Sequence, residues 1–247
     1  MDEHIVTSYD QELKTIVRRI SEMGGQAESM VERAVNALTR SDASLAHAVI
    51  ADDAVLDAAQ RELDERAILT IAKRQPMAQD LREIIGAIRI SSDLERIGDL
   101  GKNIAKRVVA VTEHQQPLQL VRGIEHLSDL ALEQLKDVLD SYATRDHRRA
   151  ESIRARDEEI DAMYTSIFRE LLTYMMEDPR NISACTHLLF SAKNIERIGD
   201  HATNIAETIY YIKTGQQMGI DRPKDDRTST MTLPVENGGK PASDIGA

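Results

Sequence analysis

Apolar residues recur at three- and four-residue steps from the start of the chain, through Leu13, Ile16, Ile20, Met23, Ala27, Met30, Ala34 and Leu38. That period puts them on one face of a long amphipathic helix. Gly24 and Gly25 interrupt the stripe without shifting its register. Each costs about 1 kcal/mol relative to Ala, so a kink or a close helix contact is expected there. Ser41 and Asp42 offer a cap, after which Leu45, Val49, Leu56, Leu63 and Ala67 mark a second helix that ends before Pro76. A third starts just beyond that proline, its stripe running through Ile90, Leu94, Ile97, Gly101, Ile104 and Val108. Steps of four and three suit knobs-into-holes packing against neighbouring helices.

Pro117 opens a second series. Val121, Ile124, Leu127, Ala131, Leu135 and Val138 form a fourth stripe, and Thr144 to Asp146 supply a stop and a cap. A fifth helix runs through Ile153, Ile160, Tyr164, Ile167, Leu171 and Tyr174; Pro179 separates it from a sixth carrying Ile195, Ile198, Ala202, Ile205 and Ile209. Beyond about Thr214 the chain is rich in Gly, Pro, Asp, Ser and Thr. It has too few apolar residues to offset the entropy of ordering, which predicts a disordered tail over 215–247.

The two series are copies. Leu94-Glu-Arg-Ile-Gly-Asp-Leu-Gly-Lys-Asn-Ile-Ala-Lys106 aligns with Ile195-Glu-Arg-Ile-Gly-Asp-His-Ala-Thr-Asn-Ile-Ala-Glu207 at an offset of 101 residues, with eight of thirteen positions identical. Asp53 and Asp57 align with Asp157 and Asp161 at an offset of 104. A three-residue length change near Pro76 and Pro179 reconciles the two. A repeat of this length holding three helices is too long for a common solenoid unit and suits a duplicated domain. The expected fold is therefore all-α: two tandem, similar three-helix bundles, residues 1–114 and 115–214, built from six long helices. Helices of about 30 residues would each be about 45 Å long and make the molecule elongated.

Glu95 and Asp99 stand four residues apart, so on a helix they share a face, and Asn103 extends the line by one turn. Glu196, Asp200 and Asn204 repeat the arrangement. Measured from the Leu94, Ile97 and Ile104 stripe, this line lies on the far side, so the carboxylates are expected to face solvent or a partner. Like charges at this spacing destabilise a helix by about 0.2–0.5 kcal/mol, which gives folding no reason to hold the pair in both halves. Adjacent carboxylates with an amide oxygen are hard ligands suited to Mg²⁺, Ca²⁺, Mn²⁺ or iron. Asp53/Asp57 and Asp157/Asp161 would complete such clusters if packing brings them alongside.

Gly98 and Gly199, present in both copies, are read as close-packing positions. Arg96 and Arg197 could bind an anion such as phosphate, but neutralising the neighbouring carboxylates is the favoured reading. His201 could add a nitrogen ligand, although a solvated surface side chain is the plainer expectation.

Composition narrows the function. Aromatic residues are 3% of the chain, Trp is absent and charged residues are 30%, as packed amphipathic helices require. A net charge of −11 repels polyanions, and few rings are available for base stacking, which argues against nucleic-acid binding. A lone Cys185, and an N-terminus MDEHIVTSYDQELK without basic and apolar signal regions, point to a reducing cytoplasm. No apolar run approaches the roughly 18–20 residues of a membrane span, so membrane association would have to go through a partner.

The stretches Gln75-Pro-Met-Ala-Gln-Asp-Leu-Arg82, Ile88-Arg-Ile-Ser-Ser-Asp-Leu-Glu-Arg-Ile-Gly-Asp99 and Asn103-Ile-Ala105, echoed by Asn194-Ile-Glu-Arg-Ile-Gly-Asp-His201, resemble the PhoU family over residues 1 to about 214. The resemblance implies a non-enzymatic cytoplasmic regulator, usually dimeric. It would link the ATPase subunit of a phosphate ABC transporter to a phosphate-sensing histidine kinase and restrain both when phosphate is plentiful. It also implies metal on Glu/Asp-x-x-x-Asp pairs, here Glu95, Asp99, Glu196 and Asp200, then Asp53, Asp57, Asp157 and Asp161, with Asn103 and Asn204 as further oxygen donors. Mg, Mn, Fe and Zn all remain open as the metal. Lys102 in the first half stands where Thr203 stands in the second, so the two sites need not bind equally.

Two rivals stay in view. A carboxylate-bridged di-iron enzyme shares the ligand types, but its Glu-x-x-His signature occurs nowhere in the chain, and outward-facing pairs would suit redox chemistry poorly. A metal-free helical scaffold explains the stripes and charged surface but not the duplicated carboxylates. No G-x-x-x-x-G-K-[ST] loop or nucleophilic Ser/His/Asp or Cys/His set is present.

Overall fold

The computed structural model describes residues 2–111 and 118–219. Its helices are α1 (Asp2–Arg40), α2 (Ala43–Arg74), α3 (Ala78–Val111), α4 (Leu118–Thr144), α5 (His147–Ala155), α6 (Asp157–Glu177) and α7 (Ile182–Thr214), with a short 3₁₀ turn at Pro179–Asn181. The described residues contain no strand, and the six predicted helices are all present. The fifth is interrupted at Arg156, which divides it into α5 and α6. The expected junction at residues 114 and 115 lies outside the described residues, as does the predicted tail beyond 219.

Local chemistry sets the ends. The Asp42 carboxylate accepts from the Leu45 amide at 2.9 Å and caps α2, satisfying a backbone donor that the first turn leaves open. Asp146 caps α5 in the same way through the amides of Arg148 and Arg149. At the end of α7, Gly215 takes φ 73° and its amide returns to the Tyr211 carbonyl at 2.8 Å, a left-handed termination for which glycine carries no Cβ penalty. The break at Arg156 has no proline or glycine behind it. It coincides with a guanidinium that reaches Asp137 at 3.0 Å and Glu133 at 3.1 Å on α4, and with three acids, Asp157 to Glu159, at the start of α6, where the helix dipole favours them.

All six apolar stripes face inward. Ile16, Ile20, Met23, Ala27 and Met30 of α1 are buried against Ile90, Leu94, Ile97 and Ile104 of α3; Ile124, Leu127, Leu135, Ile160, Ile167, Ile195, Ile198 and Ile205 form the counterpart in the second half. Within each half the helices pack on one another. The halves are joined mainly where α3 lies along α7, and also where α1 meets α4. Both junctions are close. A Cβ on Gly24 would stand 2.5 Å from Leu139 Cδ2, and one on Gly86 would overlap Ile212, whereas Gly25 faces open space. The expected contact in the first helix is therefore made by Gly24 alone. Among the described residues, no helix is long and apolar enough to cross a membrane.

Candidate functional site

The copied motif lies in the middle of α3 and again in α7, and in each case small residues let the neighbouring helix approach. A Cβ on Gly98 would overlap Leu56 Cδ2 of α2, and one on Gly199 would stand 2.9 Å from Ile160 Cδ1 of α6. Leu56 and Ile160 are themselves equivalent at the 104-residue offset. Both glycines thus serve close packing, and the approach lays the motif carboxylates alongside Asp53 and Asp57 in one half and Asp157 and Asp161 in the other.

The first seam carries Glu95, Asp99, Asp53 and Asp57 with a lysine among them. Lys102 Nζ donates to Asp53 Oδ2 at 2.5 Å and to Asp99 Oδ1 at 2.9 Å. Burial works against this ammonium, but its bonds to Asp53 and Asp99 outweigh that and hold its pKa above the ordinary value. Glu95 lies half-buried beside the seam. Burial, reinforced by the charges of Asp99, Asp57 and Asp53 and opposed by Arg96, raises its carboxyl above the usual range.

The second seam is built from the same acids with different neutralisation. Lys193, whose counterpart in the first half is Ser92, donates to Glu196 Oε1 at 2.9 Å. Thr203, the counterpart of Lys102, donates to Asp157 Oδ1 at 3.0 Å and accepts from Gln134 Nε2 at 2.9 Å. Glu196 is only 3% exposed, and its Oε2 is buried without a hydrogen-bond partner, as is Gln134 Oε1. Burial raises the Glu196 pKa; Lys193 lowers it in part, and the charges of Asp200 and Asp161 raise it further.

These positions bear on three expectations. The carboxylate line is only partly turned outward: Glu196 is buried, and Glu95, Asp99 and Asp200 are half-buried, because α3 and α7 are covered by neighbours on more than one face. One of the two arguments against a di-iron enzyme therefore lapses, while the absence of Glu-x-x-His stands. His201 is not a surface side chain. It is buried, and its Nδ1 lies 2.9 Å from Asp93 Oδ1 across the α3–α7 junction. Arg96 and Arg197 are exposed and make no direct ion pair among the described residues; the direct partners of the seam acids are lysines, while the Arg96 charge acts on Glu95 from a distance.

Asn103 and Asn204 are half-buried, and Asn204 borders a groove between α3 and α7 with Arg89 and Arg96. Among the described residues, no three His, Cys, Asp or Glu side chains are already gathered as a metal-holding set. Lys193 is the residue missed in the sequence; like Lys102, whose asymmetry with Thr203 was legible, it stands three positions from a motif acid, a spacing at which helical side chains meet.

The buried carboxyl makes stability depend on pH. Because the folded state holds the Glu196 proton above the ordinary 4.5, it binds more protons than the unfolded chain in that window, and stability falls as pH rises through it. In chelator, Glu196→Gln is expected to remove this part of the fall. At pH 7.5 it should melt about 2–4 °C above wild type, the equivalent of about 1 kcal/mol, with the difference vanishing near pH 4. Parallel thermal-melt profiles across that range would contradict the assignment.

The PhoU domain family matches residues 20–108 and again 124–209. A protein of Rhizobium meliloti (strain 1021), the phosphate-specific transport system accessory protein PhoU homolog, is 68% identical over 92% of this chain and 96% of its own length. The homolog of the same name from Caulobacter vibrioides (strain NA1000 / CB15N) is 53% identical over 92% and 98%. The crystal structure of PhoU from Pseudomonas aeruginosa superposes with a TM-score of 0.81 at 36% identity, covering 84% of this chain and all of the other. That of the phosphate transport system regulatory protein PhoU from Streptococcus pneumoniae gives 0.80 at 28%, covering 86% and all of the other. Matched in both halves by one domain, and along nearly its full length by these relatives, the chain belongs to the PhoU family.

Proposed function

We propose that this protein is a negative regulator of the phosphate-starvation response and a modulator of phosphate uptake. It acts as a cytoplasmic, homodimeric adaptor between the ATPase subunit of a phosphate ABC transporter and a phosphate-sensing histidine kinase. The observation that carries this reading is the near-full-length similarity to accessory proteins of phosphate-specific transport systems. The membership of an accessory and regulatory family supports a non-enzymatic role.

In this reading residues 1–114 and 115–214 are two repeats of one unit, and their acidic seams are rigid features that set the shape of the surfaces offered to partners. Carboxylates suit a hard divalent cation, and the unpartnered, buried Glu196 Oε2 fits one. Glu196, Asp200, Asp161 and Asp157 would hold it, and its charge would neutralise the seam. Glu95, Asp99, Asp53 and Asp57 are the corresponding set in the first half. The test is direct binding: the purified full chain against the transporter ATPase subunit and the cytoplasmic part of the kinase, measured by biolayer interferometry. Saturable binding to both is expected, and binding to neither would overturn the adaptor role.

A further inference from the structure

Where α3 lies along α7, the surface holds a groove of about 460 Å³, within the roughly 300–1,000 Å³ of small-ligand sites. Arg89, Ser92 and Arg96 of α3 line one wall, and Asn204, Thr208 and Tyr211 of α7 line the other. The two acids of the groove have partners at hand: Asp93 Oδ1 lies 2.9 Å from His201 Nδ1, and Glu207 Oε1 lies 3.4 Å from Arg154 Nε. The two arginines do not. Both are exposed, and neither stands in a direct ion pair among the described residues. On a chain of net charge −11, two such cations at one groove give an anion a place that the surrounding surface denies it.

The spacing limits which anion fits. Arg89 and Arg96 are seven residues apart, nearly two whole turns, so they rise from the same face of α3 about 10 Å apart along its axis. The helices run antiparallel, since Gly86 meets Ile212 while Asp93 meets His201. Tyr211 therefore holds Arg89 toward the end of the groove away from Arg96, with the guanidinium 5.4 Å from the ring centroid, a cation–π contact. A compact ion reaches one guanidinium; a longer ion charged at more than one point reaches both. The planar guanidinium fork pairs bidentately with phosphoryl oxygens, and Ser92, Asn204 and Thr208 offer hydroxyl and amide donors along the groove.

We infer that this groove binds a small anion with linked phosphoryl groups, of the pyrophosphate or nucleoside polyphosphate class. Arg89 and Arg96 each take a phosphoryl group, and the hydroxyl and amide donors take the remaining oxygens. Because the walls belong to different halves, an occupant ties α3 to α7 and braces the junction between the repeats. Neither the adaptor role nor a metal in the seams is needed for this.

Isothermal titration calorimetry of the full chain, in chelator at low ionic strength, tests the inference with pyrophosphate, ATP, orthophosphate and citrate. Pyrophosphate and ATP are each expected to saturate near one equivalent, with orthophosphate and citrate at least tenfold weaker. ATP binding tighter than pyrophosphate identifies a nucleotide as the occupant, and ATP binding no tighter identifies the inorganic ion; both support the site. Arg96→Gln, at an exposed position, is expected to weaken binding at least tenfold, as is Arg89→Gln. Arg40→Gln, at an exposed arginine outside the groove, should bind as wild type does. Melting curves check that each variant folds, and Arg96→Gln carries the test if loss of the Tyr211 contact unfolds Arg89→Gln. No saturable binding of pyrophosphate or ATP by wild type, orthophosphate or citrate binding as tightly, or Arg96→Gln losing no more than Arg40→Gln would overturn it.

Discussion

Gly98→Leu is expected to destabilise the protein by about 3 kcal/mol or more, lowering the melting temperature by about 6–12 °C. The reason is spatial. A Cβ at this position already overlaps Leu56 Cδ2 and stands 3.6 Å from Met30 Sδ, so a branched side chain can be accommodated only by pushing α2 away from α3. Gly98→Ala should be far milder, because the overlapping atom is the end of a flexible side chain and Ala gains about 1 kcal/mol of helix propensity. Combining Gly98→Leu with Leu56→Ala should recover part of the loss. Displacing α2 also draws Asp53 from Lys102, so the same variant should disturb the first seam. Melting within 1 °C of wild type would show that the helices do not depend on this approach.

Lys102→Ala is the second large effect. Removing the ammonium leaves Asp53, its side chain 11% exposed, and Asp99, at 43%, facing each other across the seam. An exposed ion pair is worth about 0–1 kcal/mol, whereas breaking a fully buried one costs about 3–5 kcal/mol. The intermediate burial here places the loss near 2 kcal/mol in chelator, about 4–8 °C. Lys102→Ala/Asp53→Ala should be more stable than Lys102→Ala alone, since the second change removes the stranded charge. Strict additivity in that double-mutant cycle would mean that the lysine and the aspartate do not act as a pair.

The helices were legible because apolar periodicity reports burial directly: each stripe from Leu13 to Ile209 lies in or against the core. The break at Arg156 was not, because both flanks have helical composition and its visible partners, Asp137 and Glu133, lie on α4. The acidic pairs and their second-helix companions were read from spacing and copying, and the packing does lay them alongside one another.

Their orientation was misread for a physical reason. A face was judged against a single apolar stripe, whereas α3 touches α1, α2 and α7, so its second face is covered too. His201 was misplaced in the same way, since the α3–α7 junction that buries it joins residues 108 positions apart. The two lysines carried a usable signal in their three-residue spacing from Asp99 and Glu196.

The central claim is that the acidic seams belong to the machinery of phosphate repression. The most direct measurement is alkaline phosphatase output at high phosphate in a strain lacking this gene, complemented by wild type or by Glu95→Ala/Asp99→Ala/Glu196→Ala/Asp200→Ala, with expression and folding matched. The account predicts high output in the deletion, repression restored by wild type, and output still high with the variant. Low output in the deletion itself, or full repression by the variant, would contradict it.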